Sequence, residues 1–386
     1  MSDFPAAPVL EALELLKKNY AESIRTSRRL AYHKENVKVT QEDLNQENEL
    51  LDELRSSFLP SIKHELKALS NALDPPHNSS EFPRPNVELS LDTLSNLNQI
   101  MQKAIQCISS APLQPLDPKH AHDHSFKHCK AFRRFDLRNR VSRVESNLIS
   151  VFWSYSRLIE SWKLSSNLSE DPEYRTPTPG EETVECIDLI DQTIRLSQAS
   201  DFALLQLKWQ SVVQAFHEEL EILANITGPH QKNKSIFRRR VVEQARLTVP
   251  VIKLLRILFD KILNTTIRQL PFTLDTELNS DTLHQLNIDP DKILFSCLVH
   301  VTYLNESHMS HSTNDHSGWL RGRTDGLSRT VDSYVVLLAL YIIPLSSKID
   351  RCSLQTDFKA WLSEWQRLWQ TAKDHLLGAM CVPEEN

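Results

Sequence analysis

An all-α fold is predicted by three observations on the 386-residue chain. Apolar residues recur at alternating spacings of three and four, the rhythm that keeps one side of an α-helix buried. No period-two alternation of a half-buried strand stands out beside it. The chain also holds only 6 Gly against 19 Pro, whereas Gly is ordinarily ~7% of a protein. Tight β-turns and phosphate loops draw on Gly, so helices joined by Pro-marked loops are expected. The fold class is therefore antiparallel helical bundles of about nine to eleven helices, one of them very long, near residues 126–163.

The first helix is expected over residues 9–32, with Pro8 near its first turn and Leu10, Leu13, Leu16, Ile24 and Leu30 as apolar positions. Thr40 and Asp43 resemble an N-cap region ahead of a second helix carrying Leu44, Leu51, Leu54, Phe58, Ile62, Leu66, Leu69 and Leu73. Pro60 falls inside that pattern, and its missing donor predicts a kink or break. A Pro-rich loop over residues 74–85 leads to a third helix over 88–108, with Leu94, Leu97, Met101, Ala104 and Ile108 inward.

The long helix follows. Leu137, Val141, Val144, Leu148, Val151, Tyr155, Leu158 and Trp162 form its stripe, widened by Ile149, Phe152 and Ile159. Arg138, Arg140, Ser142, Arg143, Glu145 and Ser156 read as its solvated side. A Pro, Ser and acidic stretch over residues 166–182 is the best linker in the chain, dividing an N-terminal bundle (1–165) from a C-terminal one (183–386). The two halves could equally pack as one unit.

In the second half Thr183 is expected to cap a helix of Val184, Ile187, Ile190 and Ile194, and a break falls at Ser200–Asp201. Phe202, Leu205, Trp209, Val212, Phe216, Leu220 and Leu223 mark the next helix, ended by Gly228 and Pro229. A further helix over 235–263 carries Pro250 as an expected kink. Residues 290–308 read as a helix, the following His- and Gly-bearing stretch as an exposed loop, and Ser328 or Thr330 as the cap of a core helix over 334–343. Trp361, Trp365 and Trp369 lie on one side of a closing helix over 357–380, where large aromatics at that period are expected to be core.

An apolar share of 40% and a charged share of 24% are those of a globular protein. The net charge of −6 steers towards no partner class. Six scattered cysteines without a CxxC pair read as reduced thiols. No basic segment followed by an apolar one opens the chain, and the strongest apolar run, 334–345, is too short for a span of ~20 residues. The expectation is a cytoplasmic or nuclear protein with no secretion signal and no transmembrane helix.

Two clusters could carry chemistry. His120, His122, His124, His128 and Cys129 are good zinc or copper ligands, and His124 and His128 stand at i,i+4. They match no fixed ligand spacing. His308, His311 and His316 form a second, looser group. The basic run Lys127, Lys130, Arg133, Arg134, Arg138, Arg140 and Arg143 faces a single acid, Asp136, within its interval. Such a stripe could contact phosphates, an acidic partner surface or anionic lipid, while compensation by the acidic residues 42–53 is the plainer account. An acidic chain does not favour nucleic acid. No GxSxG, Walker-type loop or GxGxxG is present, so no enzyme and no cofactor are expected.

The segments SFKHCKAFRRFDLRNRVSRVESNLISVFWSYSRLIESWKLS, SDFALLQLKWQSVVQAFHEELEIL and RLTVPVIKLLRILFDKI resemble those of a large paralogous family of uncharacterised helical proteins of rust fungi. The likeness covers most of the chain from about Asn48 onward. More distantly, the order of helices is similar to that of the cyclin-D-binding-protein group of bundles, which implies a protein-interaction module of cytosol and nucleus. Neither resemblance assigns a site residue. The functional expectation is a non-catalytic adaptor with an acidic protein partner. The alternatives are a metal protein using the 120–129 cluster and a helical carrier of an apolar ligand, lined by residues such as Tyr155, Trp162 and Trp209.

Overall fold

The computed structural model describes residues 6–30, 40–73, 86–109, 123–164, 178–228, 236–263, 272–274, 278–309, 317–344 and 351–380. Eleven α-helices account for nearly all of them, so the protein is an all-α bundle. The chain divides into two compact units, Met1–Ala199 and Ser200–Asn386. The division is not the Pro-rich stretch expected from composition. The helix after that stretch packs on the long helix and on α3, and so belongs to the first unit.

The first unit contains α1 (Ala7–Leu30), α2 (Gln41–Glu53), α3 (Leu59–Leu73), α4 (Val87–Ser109), α5 (Ala131–Leu164) and α6 (Pro179–Gln198). Its core is one apolar cluster running from Val9, Leu13 and Tyr20 of α1 through Leu66, Leu97 and Met101 to Val144, Phe152 and Ile190. In α1 the buried line includes Val9 and Tyr20, whereas Leu10 is half-buried. The α4 stripe is buried as expected. Thr40 caps α2 in a capping box with Asp43.

Pro60 does not break the α2–α3 segment, which stays helical from Gln41 to Leu73. The turn just before it widens into a π-turn, Leu54–Phe58, in which the Leu59 amide donates to the Leu54 carbonyl. A wider turn gives room beside a ring that would crowd the preceding carbonyl.

The long helix begins later than expected. His124–Cys129 forms a 3-10 helix, Lys130 is extended at φ −59, ψ 141, and α5 starts at Ala131. The Asp123 carboxylate accepts from the Ala131 amide at 2.7 Å, which satisfies one of the free donors at that helix start. Leu137 to Tyr155 of the predicted stripe are buried and Leu158 is half-buried. The Trp162 side chain lies outside the described residues. Glu145 and Ser156, expected in solvent, are buried. Helix α5 packs on both α1 and α6, so little of its circumference is left for water.

Helix α6 starts at Pro179, capped by Thr178 in a capping box with Glu181. Thr183 is no cap but a buried interior residue whose hydroxyl donates to the Pro179 carbonyl at 2.7 Å. Val184 is exposed, and Cys186 and Leu189 take the inward positions.

The second unit contains α7 (Asp201–Thr227), α8 (Ile236–Leu263), β1 (Phe272–Leu274), α9 (Ser280–Met309), α10 (Ser317–Tyr341), β2 (Ile342–Pro344) and α11 (Arg351–Ala379). Ser200 caps α7, as the break in the sequence suggested. Pro250 and Pro290 lie inside α8 and α9. Helix α9 starts ten residues ahead of Pro290, with the Asn279 side chain accepting from the Thr282 amide. Helix α10 likewise starts at Ser317, so Ser328 and Thr330 are interior. The Thr330 hydroxyl donates to the Gly326 carbonyl at 3.1 Å.

Strands β1 and β2 pair antiparallel, Thr273 opposite Ile343. Three residues each are too few for an alternating pattern to be legible. The core is aromatic. Trp209, Phe216, Phe259, Tyr334, Trp365 and Trp369 are buried, with Trp365 and Trp369 stacked at 5.8 Å and the Trp365 indole donating to the Leu254 carbonyl. No helix among the described residues is long and apolar enough to cross a membrane.

Candidate functional site

The basic run does not form an exposed stripe. Lys130, Arg133 and Arg134 are buried, Arg138 and Arg140 are half-buried, and Arg143 is exposed. The Lys127 side chain lies outside the described residues. Most of the placed guanidinium groups have a partner inside their own unit. Arg133 donates to the Ser197 and Ala199 carbonyls at 3.1 and 2.6 Å, closing the C-terminal end of α6 where free carbonyls gather. Arg134 faces Glu47 of α2 at 3.4 Å, with the two side chains 5% and 1% exposed. Arg140 holds Asp136 through two hydrogen bonds one turn away. Arg143 borders an open groove of ≈ 840 Å³ with Asn147 and the α6 acids Glu185, Asp188 and Asp191.

Two buried acids, neither singled out by the sequence pattern, lie behind this arrangement. Burial pushes the Glu47 carboxyl up to about 7, against the opposing pull of Arg134. Glu145 is also pushed up by burial to about 7, although Ser23 donates to it at 2.8 Å and Arg138 attracts it. On desolvation alone a carboxylate resists burial, and one nearby cation offsets only part of that cost. For Glu47 the sequence signal was the acidic run 42–53, the expected compensation for the basic run, and for Glu145 it was an acid on the supposed wet side of α5 beside two arginines.

His120 and His122 lie outside the described residues, and His124 and His128 are exposed. Cys129 is buried, its thiol within 3.4 Å of the Asn48 side-chain carbonyl and pushed up to about 12 by burial and by Glu47. A thiol so protonated is a poor metal ligand. Among the described residues no three His, Cys, Asp or Glu side chains are placed to share an ion. His311 and His316 also fall outside them, and His308 is buried. Tyr155 and Trp209 are each fully buried in the core of their own unit.

The second unit presents what the sequence reading assigned to a loop. Trp319 and Arg323 are one turn apart on α10, and Phe295 faces them from α9. The Arg323 guanidinium lies 5.1 Å from the Trp319 ring centre and 5.3 Å from that of Phe295. Trp319 is 50% exposed and Phe295 60%. The buried Nε of Arg323 has no hydrogen-bond partner, and no described carboxylate forms an ion pair with this side chain. Cation–π contact fixes the guanidinium plane and leaves its remaining N–H groups at the surface free to bond. Gly318 and Gly322 keep the outward side of α10 bare, with nothing within 4 Å of an added Cβ.

Beneath Arg323 is a cavity of ≈ 20 Å³ bordered by Thr248, Cys297, His300 and Thr324, room for about one water. Thr248 donates its hydroxyl hydrogen to the Gln244 carbonyl, so His300 Nε2, 3.2 Å away, is the donor to Thr248. Burial pulls His300 down to about 4, leaving it neutral at neutral pH.

Residues 47–198 match a family model described as "Domain of unknown function (DUF8723)", and residues 200–378 match one described as "Domain of unknown function (DUF8721)". The two matched stretches meet where the two compact units divide. No curated protein matches the chain at a significant level. No solved structure does so either.

Proposed function

We propose that this chain is a non-catalytic, adaptor-type interaction protein that receives an acidic segment of a partner protein on the α9–α10 face of its second unit. The observation carrying this reading is Arg323, clasped between two half-exposed aromatic rings with no carboxylate of its own. A guanidinium with its plane already fixed loses little freedom when it takes a carboxylate through two hydrogen bonds. Trp and Arg are also the side chains that most often dominate protein interfaces. The resemblance to cytosolic and nuclear interaction bundles supports the same reading, and cytoplasmic or nuclear residence belongs to it.

The metal and carrier alternatives gain no specific observation. Cys129 is held as a thiol, and the ≈ 20 Å³ cavity beneath Arg323 is too small for an organic ligand. Affinity capture from native tissue, quantified for wild type, Trp319→Ala and Arg323→Glu, tests the proposal. Proteins enriched by wild type are expected to fall at least tenfold with either variant, while an Arg143→Glu control retains them. Equal enrichment in all four samples sinks it.

A further inference from the structure

The features of α2 do not fit an ordinary core helix. Its thirteen residues hold six acids, Glu42, Asp43, Glu47, Glu49, Asp52 and Glu53, and no basic residue. Only Glu47 and Leu51 are buried, against six buried residues in the fifteen of α3. The helix lies over the 3-10 segment that leads into α5 and touches α4. Two thiols beneath it reach its backbone: Cys107 Sγ is 3.2 Å from the Leu50 carbonyl and Cys129 Sγ 3.9 Å from the Leu44 carbonyl. Cations gather beside it: Arg134 of α5 faces Glu47, and Arg55 of the π-turn lies within electrostatic reach of Cys129 and of Arg133, whose guanidinium closes the end of α6.

We infer that the head of α5 is a basic seat for an acidic amphipathic helix, that α2 occupies this seat within the chain, and that a partner's acidic helix takes it when α2 swings away about the π-turn. Charge complementarity selects the class of occupant. The π-turn at Leu54–Phe58 supplies the hinge, because its widened hydrogen-bond pattern is the one irregular step between α2 and the firmly buried α3. Glu47 keeps the internal occupant weak. The groups that act on its carboxyl are Arg134 of α5, Cys129 of the 3-10 helix and Asp123 just before it; at the same face Arg55 of the π-turn interacts with Asp52, Arg133 and Cys129, and Cys107 of α4 with Glu53. Among these, desolvation outweighs the attraction of Arg134, so its ionised form opposes docking. A partner helix carrying an apolar residue at that position, with acids along its rims, would bind without that cost. The inference does not depend on the α9–α10 face.

The cysteines supply the readout. Cys107 and Cys129 lie under α2, whereas Cys186 and Cys297 are buried elsewhere. Alkylation of the full chain at pH 8, resolved by peptide mass spectrometry, reports opening of the seat. Leu51→Ala is expected to speed labelling of Cys107 and Cys129 at least tenfold relative to Cys186 and Cys297. A synthetic peptide of residues 40–53 carrying Glu47→Leu should restore protection in that variant, and the same peptide with its remaining acids changed to Lys should not. Glu47→Gln, an isosteric change that does not threaten folding, should slow labelling of the two covered thiols severalfold. The inference is overturned if all four thiols speed up together in Leu51→Ala, if the acidic and basic peptides protect equally or not at all, or if Glu47→Gln leaves labelling unchanged or faster.

Discussion

In the first unit two acids are hidden at helix interfaces, Glu47 against Arg134 and Glu145 against Ser23 and Arg138, beside neutral pairs such as Tyr155 with Thr183. In the second, His300 donates to Thr248, Trp365 to the Leu254 carbonyl and Tyr334 to the Leu286 carbonyl, with Glu219 as a buried acid. The arginines divide within each unit as well as between them. The first buries Arg133 and Arg134 but leaves Arg157 against the half-exposed Trp153 ring at 4.8 Å, and the second ties Arg238 to the His308 carbonyl but sets Arg323 between two rings. The same residue type therefore serves architecture at some positions and stands at the surface at others. Charge density along the sequence did not distinguish them, since the dense run is the buried one.

The contrast has a consequence for pH. Glu47 and Glu145 titrate near 7 in the folded chain and near the ordinary 4.5 unfolded. They bind protons more tightly when folded. Their stabilising contribution is complete below pH 4.5 and is lost as pH rises through 7. His300 runs the other way. Lowered from 6.5 to about 4, it binds its proton less tightly when folded, so its contribution is present above pH 6.5 and lost as pH falls towards 4. Between those limits the first unit weakens with rising pH and the second strengthens, partly offset in the second by Glu219, which burial also raises. Hydrogen exchange resolved by segment on the full chain can follow both at once.

The largest effect expected is on the aromatic core. Trp369→Ala should cost ~3–5 kcal/mol in chemical denaturation, with amide protection lost across α7–α11 and kept across α1–α6. Loss across both would erase the distinction between the units. Next is Arg134→Ala, which strands Glu47 and should cost about 3 kcal/mol, as removal of one partner of a buried ion pair does. Arg143→Ala, at an exposed position, should stay within ~0.5 kcal/mol, and equal losses from the two would refute the buried-pair account. Glu145→Gln removes a buried ionisation and should stabilise the first unit at pH 8 by about 1 kcal/mol, with the gain vanishing below pH 5. A gain independent of pH would point to packing instead. The smallest change is in slope: His300→Gln should flatten the acid-side loss of protection in α8 and α9 by at most about one proton's worth, leaving α1–α6 unaltered.

Much of the fold was legible because it is local. The stripe Leu137–Val141–Val144–Leu148 and the α4 positions Leu94, Leu97 and Met101 are buried as their spacing requires, and the Ser200 cap is a short-range hydrogen bond. Boundaries shifted where a local signal had a second solution. Pro60, Pro250 and Pro290 were absorbed by π-turn or helix, and the Gly-bearing start of α10 stayed helical despite its composition. The candidate sites were largely illegible. Whether Arg134 meets water or Glu47 depends on which helix lies across it, and those residues are far apart in the chain.

Taken alone, the sequence determined the helices, most of their inward faces and the Thr40 cap, since periodicity and capping act over one or two turns. Tertiary structure decided everything that depends on burial of charge: which acids titrate near neutrality, which arginines are buried, and which stay at the surface. Desolvation is a property of all the neighbours around a group, and most of those neighbours come from other helices.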